Sequence, residues 1–186
     1  MPNQISGRRV AFIAADGVEQ VELSEPWQAV QNAGGKPELI SIELGSIQGV
    51  NHMDRGITFH VDRTFEDATP DEYDGLVVPG GVANPDKLRT HAPAVDLVRA
   101  FVTQAKPTAV ICHGPWMLVE ADVVRGRTLT SWPSLQTDIR NAGGQWVDEE
   151  VHRDGNLVSS RKPDDLPAFC RAMVDLFAHA SGRAAA

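Results

Sequence analysis

Cys112 and His113 stand side by side in the run Ile111, Cys112, His113, Gly114, Pro115, where a thiol meets an imidazole at what reads as a chain reversal. The preceding residues, Thr108 to Ile111, are β-branched and apolar, as a buried strand requires. The following stretch, Pro115 to Val124, reads as a helix with proline in its first turn, where a missing N–H is harmless. A cysteine between the two would face the positive end of a helix beside an imidazole. Both influences favour thiolate, the form that attacks carbonyls and peroxides. The plain alternative is a small buried core residue, the usual fate of a free cysteine. The abrupt turn imposed by His113, Gly114 and Pro115 argues for the reactive thiol, and it predicts strained backbone dihedrals at Cys112.

The elements that would hold this turn can be read from hydrophobic patterning. Arg8 to Ala15, Pro37 to Ile42, Tyr73 to Pro79, Thr108 to Ile111, Thr128 to Ser131, Gln145 to Val151 and Asn156 to Ser160 read as strands. Glu19 to Ala33, Pro93 to Lys106, Pro115 to Val124, Ser134 to Ala142 and Leu166 to His179 read as helices. Glu43 to Asp62 is glycine-rich and polar, with a short arm at Ile57 to Val61, and the Ala184 to Ala186 tail reads as frayed. Apolar strands alternating with helices imply an α/β fold, a mostly parallel sheet covered on both faces. Ligands in such sheets bind beyond the carboxyl ends of the strands. Three tips meet that requirement: Asp16 to Glu22, Pro79 to Gly81, and Cys112 to Pro115.

Those tips carry further chemistry. Glu19 and Glu22, three apart at a helix start, share a face. They either stabilise the helix N-terminus or point at the thiol, where a buried carboxyl would have a raised pKa and could donate to a thiolate. Gly80 and Gly81 form a plain turn or present bare N–H groups to an oxyanion, together with the N–H of His113. His113 is the obvious base, yet consecutive side chains point apart, so its ring need not reach the sulfur. The other histidines (His52, His60, His91, His152, His179) read as surface or loop residues. Cys170 has helical spacing with Leu166, Phe169, Met173 and Phe177 and reads as inert core, with no disulfide to Cys112.

Composition narrows the classes. The chain has 186 residues, 42% of them hydrophobic, and reads as one domain over 1–186. A net charge of −8 without a basic cluster argues against a nucleic-acid scaffold. No apolar run approaches the ~20 residues of a membrane span, and Met1 to Gly7 holds no secretory core. Two cysteines without a CxxC pair suit a reducing cytoplasm. The histidines lack metal-ligand spacing, and the glycines lack a P-loop or dinucleotide fingerprint, so neither metal nor cofactor is expected.

The segments VAFIAADGVEQVEL, DGLVVPGG, AVICHGP, TSWPSLQTDIRNAGGQWVDEEV and DGNLVSSRKPDDL, in this order, resemble the PfpI family of intracellular cysteine hydrolases. That family shares a superfamily with the parkinsonism-associated protein deglycase and the class I glutamine amidotransferases. The resemblance implies a flavodoxin-like three-layer sandwich with a nucleophile elbow at Cys112. It also implies that Glu22 hydrogen-bonds the cysteine, and that His113 belongs to a Cys–His pair. The third, acidic member would come from a neighbouring subunit, at the position of Asp86, so a homodimer or larger homo-oligomer is expected. Trp132 stands where relatives carry tyrosine or histidine, and so lines a pocket without offering a hydroxyl. Catalytic candidates are therefore Cys112, His113, Glu22 and Asp86; binding candidates are Gly80, Gly81, Gly114, Glu19 and Trp132. The implied activity is cofactorless, stress-protective attack on carbonyl centres, as deglycase, glyoxalase-like enzyme or peptidase. The alternative is a redox sensor or chaperone in which Cys112 is oxidised without turnover.

Overall fold

The computed structural model describes residues 3–179, so the Ala184 to Ala186 tail lies outside the described residues. Strand β1 (Arg9–Ile13) leads through the two-residue β2 (Val18–Glu19) into α1 (Gln20–Asn32), and the chain returns in β3 (Lys36–Ser41). A hairpin, β4 (Gly45–Asn51) and β5 (Asp54–Val61), and the short β6 (Arg63–Thr64) precede β7 (Gly75–Val78). Then follow α2 (Ala83–Leu88), α3 (Ala92–Thr103), β8 (Thr108–Ile111) and α4 (Pro115–Glu120). The remainder is β9 (Thr128–Leu129), α5 (Gln136–Asn141), β10 (Gln145–Trp146), β11 (Val151–Asp154), β12 (Leu157–Ser160) and α6 (Leu166–His179).

Seven strands form the central sheet in the order β11-β12-β8-β7-β1-β3-β6. Every neighbouring pair is parallel except β11 with β12. Alternation along the inner strands builds a core on each face. Ala11 and Ile13 of β1 face a layer with Leu88, Phe101, Met117 and Ile139 from α2 to α5. Val10 and Phe12 face the other layer, with Leu23 of α1 and Phe169 and Phe177 of α6. This is the three-layer, flavodoxin-like α/β sandwich. Strands buried on both faces must be apolar throughout, which is why their sequence reads as continuous runs. Among the described residues, no helix is long and apolar enough to cross a membrane.

Several expected boundaries moved. The helix expected over Pro115 to Val124 stops at Glu120, because Asp122 is left-handed (φ 55°) and the Val123 N–H returns to the Leu118 carbonyl at 3.1 Å. Gln145 to Val151 is not one strand. Gln145–Trp146 pairs with β9 in a separate two-stranded sheet, whereas Val151–Asp154 pairs with β12, so the chain must bend between them. Thr128 to Ser131 likewise stops at Leu129, since the Thr130 N–H donates to the Ser159 hydroxyl at 3.0 Å instead of a ladder. The polar stretch Glu43 to Asp62 folds as the β4–β5 hairpin, which pairs with β2 in a third sheet beside the first helix. Helix α2 carried no sequence signal, because its Asn84-Pro85 pair reads as a loop. Asn84 is fully buried instead. Its Oδ1 accepts from the Ala15 N–H (2.7 Å), and its amide donates to the carbonyls of Pro79 and Gly80 (both 3.0 Å). One side chain thus ties the tip of β1 to the tip of β7.

Candidate active site

Strands β1, β7 and β8 are neighbours in the sheet, so the three tips singled out from sequence meet at its carboxyl edge. Cys112 follows β8 directly and is left-handed, φ 61°, a conformation that costs a non-glycine residue about 1–2 kcal/mol. Ties on both sides hold it there. The Cys112 N–H donates to the Ser160 carbonyl (3.1 Å), and the Cys112 carbonyl accepts from the Trp132 N–H (2.9 Å). The strained elbow expected from the HGP turn is present.

Glu22, in the first turn of α1, is fully buried beneath the elbow. Its Oε2 accepts from the Gly80 N–H at 2.8 Å. Its Oε1 is buried without a conventional partner, and the side chain this carboxyl engages is the Cys112 thiol. Gly80 is required at this spot. A Cβ on it would lie 2.6 Å from Glu22 Oε2, 2.7 Å from the Cys112 Cβ and 2.8 Å from the His113 nitrogen. Because its N–H is already given to Glu22, Gly80 is not an oxyanion donor as expected. The next residue presents its N–H instead. Gly81 is left-handed (φ 76°), and its N–H and that of His113 both point at the Cys112 sulfur.

The electrostatics of the elbow pull in opposite directions. Burial pushes the Glu22 carboxyl up to about 8, against hydrogen bonds from Gly80 and the thiol that lower it. Burial first, then the charge of Glu22, push the Cys112 thiol well above its ordinary range, while the N–H groups of Gly81 and His113 pull it down. Desolvation thus opposes the turn's favourable dipoles at the sulfur. Burial also holds the His113 imidazole below its usual value, in the neutral form.

The reach of His113, which the sequence leaves open, is settled by geometry. Its Nδ1 lies 3.2 Å from the Cys112 sulfur, so the ring does reach the thiol. Alternation of side chains holds along a regular strand, and the left-handed Cys112 ends that regularity, turning the sulfur toward its neighbour. Trp132 stacks on the imidazole with ring centroids 5.8 Å apart and planes at 24°. A cavity of about 260 Å³ opens above the sulfur, lined by Glu19, Glu22, Gly81, Cys112, His113 and Trp132 together with His52, Met53, Val82 and Pro163.

Not every candidate serves the cavity in the way expected. Glu19 lines it, but its Oε2 accepts from the His52 N–H (3.0 Å), anchoring the tip of the β4–β5 hairpin as a cavity wall. A Cβ on Gly114 would run into the Val78 and Ile111 carbonyls, and Gly114 is absent from the lining. Asp86 is exposed on α2 and outside the lining. Cys170 is a free thiol, half-buried at the margin of the α1–α6 layer rather than within the core, and burial pushes it up to about 12. His52, Met53 and Asn84 escaped sequence reading. The hairpin tip comes from a stretch with no periodic signal, and Asn84 acts by joining the distant Ala15 to the nearby Pro79 and Gly80.

The sheet and elbow define a class: three-layer α/β proteins with a cysteine held in a strained turn at the carboxyl edge of a parallel sheet. Within that class the chain belongs to the DJ-1/PfpI family, whose model matches residues 8–176. A deglycase of Pyrococcus abyssi is 44% identical over 168 residues, 90% of this chain and 98% of that protein. Deglycase PfpI of Pyrococcus furiosus is 42% identical over the same shares. Among solved structures, Drosophila melanogaster DJ-1beta superposes with a TM-score of 0.83 at 25% identity, covering 92% of this chain and 90% of that one.

Proposed function

We propose that this protein is a cofactorless, cysteine-dependent hydrolase of small carbonyl adducts, with deglycase or glyoxalase-like chemistry. The observation that carries this is the convergence on one sulfur of two N–H donors, a protonated carboxyl and a neutral imidazole. The thiol attacks a carbonyl carbon: the S–C bond forms, the C=O π pair moves to oxygen, and the thiol proton passes to His113 Nδ1. The N–H groups of Gly81 and His113 stabilise the oxyanion. Glu22, carrying its proton at neutral pH, donates to the sulfur as charge develops there and again when the sulfur leaves. The oxyanion then collapses, the bond from that carbon to the departing group breaks, and the imidazolium gives its proton to the group. Water, deprotonated by His113, next adds to the resulting thioester carbon, and collapse breaks the C–S bond and returns the proton to the sulfur. A cavity of about 260 Å³ admits a small carbonyl compound or an adduct on a side chain, and disfavours folded protein. The naming of the Pyrococcus relatives as deglycases points the same way.

A second reading rests on Glu22. A carboxyl that keeps its proton to about pH 8 can donate to a sulfinate, so Cys112 would also serve as a peroxide sensor. The exposed Asp86 on α2 is assigned to the surface that meets a second copy of the chain, in a homodimer at least. Light scattering on the purified protein tests that assembly. For the activity, methylglyoxal adducts and a peptide are offered to wild type and Cys112→Ser. Turnover lost in the variant is the expected result; turnover that survives unchanged overturns the proposal.

A further inference from the structure

Five large apolar side chains stand exposed among the described residues, and three of them, Met53, Val82 and Trp132, line the cavity above Cys112. Exposed apolar residues scattered singly are ordinary, whereas a cluster of them around one cavity marks a binding surface. Met53 is 95% exposed, in the two-residue turn between the paired Asn51 and Asp54, where small polar residues or glycine are the usual choice. Its neighbour His52 is left-handed (φ 57°) and gives its N–H to Glu19, so the turn is tied to the cavity wall. Val82, 58% exposed, directly follows Gly81, whose N–H points at the sulfur. Trp132, 38% exposed, is held by its N–H bond to the Cys112 carbonyl and by its stack on His113.

Charge narrows what this surface can take. The acidic side chains Glu19 and Glu22 line the cavity, and no lysine or arginine does. The nearest cations in sequence to Pro163, on the opposite wall, are already paired. Lys162 meets Asp164 at 2.9 Å, and Arg161 meets Asp148 and Asp165, both at 2.8 Å. His52 also acts on Asp164. A carboxylate or phosphate on a substrate would therefore leave water without a counter-ion waiting for it. An apolar substituent gains by the same transfer, in proportion to the area it buries. A volume of about 260 Å³ falls below the ~300–1,000 Å³ of sites for drug-sized ligands, and matches a carbonyl carrying one ring or a short branched chain.

We propose that Met53, Val82 and Trp132 form the subsite for the substituent on the substrate's carbonyl carbon, and that it selects uncharged aromatic or branched-chain carbonyl compounds over anionic ones. The proposal rests on the carbonyl reading of Cys112, and its test measures binding without turnover. Acetophenone, acetone and benzoate are titrated into the protein at neutral pH. They offer a ring with a carbonyl, a carbonyl alone, and the same ring with a negative charge. Binding is followed by the Trp132 indole N–H in nitrogen-15 spectra, assigned among the four tryptophans with Trp132→Phe. Acetophenone should bind at least about tenfold more tightly than either of the others, the scale of a methylene or two in a hydrophobic pocket. Met53→Ser and Val82→Ser should each weaken acetophenone by about threefold, since each removes part of the buried apolar contact. Both side chains are exposed, so both variants are expected to fold. Equal affinity for the three compounds, benzoate ahead of acetophenone, or no acetophenone binding overturns the proposal. Light scattering is run alongside. Serine variants that lose an oligomer but keep full acetophenone affinity also overturn it, and give the patch to a second copy of the chain. Turnover that persists in Cys112→Ser would instead overturn the nucleophile reading, while the ketone affinities still report on the subsite.

Discussion

Replacing Glu22 with glutamine should change how stability depends on pH, by an amount the structure specifies. The folded protein holds the proton on this carboxyl up to about 8, against an ordinary value of 4.5 in the unfolded chain. Between those values the folded state is protonated and the unfolded state ionised, so the folded state binds one more proton. Stability from this group is complete below about pH 4.5 and is lost as pH rises toward 8. The slope is about 1.4 kcal/mol per pH unit, at most about 5 kcal/mol over the whole window. Glutamine keeps an oxygen for the Gly80 N–H and an amide hydrogen for the sulfur, but it cannot ionise. Its own packing cost is independent of pH and cancels in the slope. The thiol titrates above this window and does not contribute. Urea unfolding of wild type and Glu22→Gln at half-unit steps from pH 5 to 7.5 should show the difference moving in favour of the variant by about 3 kcal/mol. A difference constant to within about 0.5 kcal/mol would mean that Glu22 ionises inside the folded protein, and the protonated donor beside Cys112 would be refuted.

Gly80→Ala forces a Cβ against Glu22, Cys112 and His113 at 2.6–2.8 Å, and should cost about 1–3 kcal/mol in chemical denaturation. It should also abolish selective labelling of Cys112. Cys112→Gly should be about 1 kcal/mol more stable than Cys112→Ala, because both lose the thiol and only glycine accepts φ 61° freely. Equal midpoints for the two would remove backbone strain from the account. Asn84→Ala orphans the buried Ala15 N–H and Pro79 carbonyl and leaves the Gly80 carbonyl with the Glu19 N–H alone, and should lower stability by more than about 2 kcal/mol. A loss below about 0.5 kcal/mol would show that the tips hold their places without it.

The chain's linear order was enough to reveal the layered α/β plan and the elbow. Buried parallel strands leave continuous apolar runs, and an abrupt HGP turn after one of them leaves a chemical signature at Cys112. Pairing between distant segments was not legible. Gln145 to Val151 reads as one strand until two different sheets claim its ends. The β4–β5 hairpin has no amphipathic period, because its residues answer to α1 and the cavity more than to a core.

By itself the sequence determined which residues could react: a thiol, an imidazole and a carboxyl at three strand tips, with glycines beside them. Local steric preference and hydrophobic period suffice for that. Tertiary structure alone decided their states and partners. Burial, which depends on every layer around the elbow, pushes the thiol up and lifts Glu22 to about 8. It also reassigns the Gly80 N–H to Glu22 and brings Ser134, from a distant turn, to the far nitrogen of His113. Solvation and hydrogen-bond geometry are properties of the folded surroundings, which residue type and spacing do not encode locally.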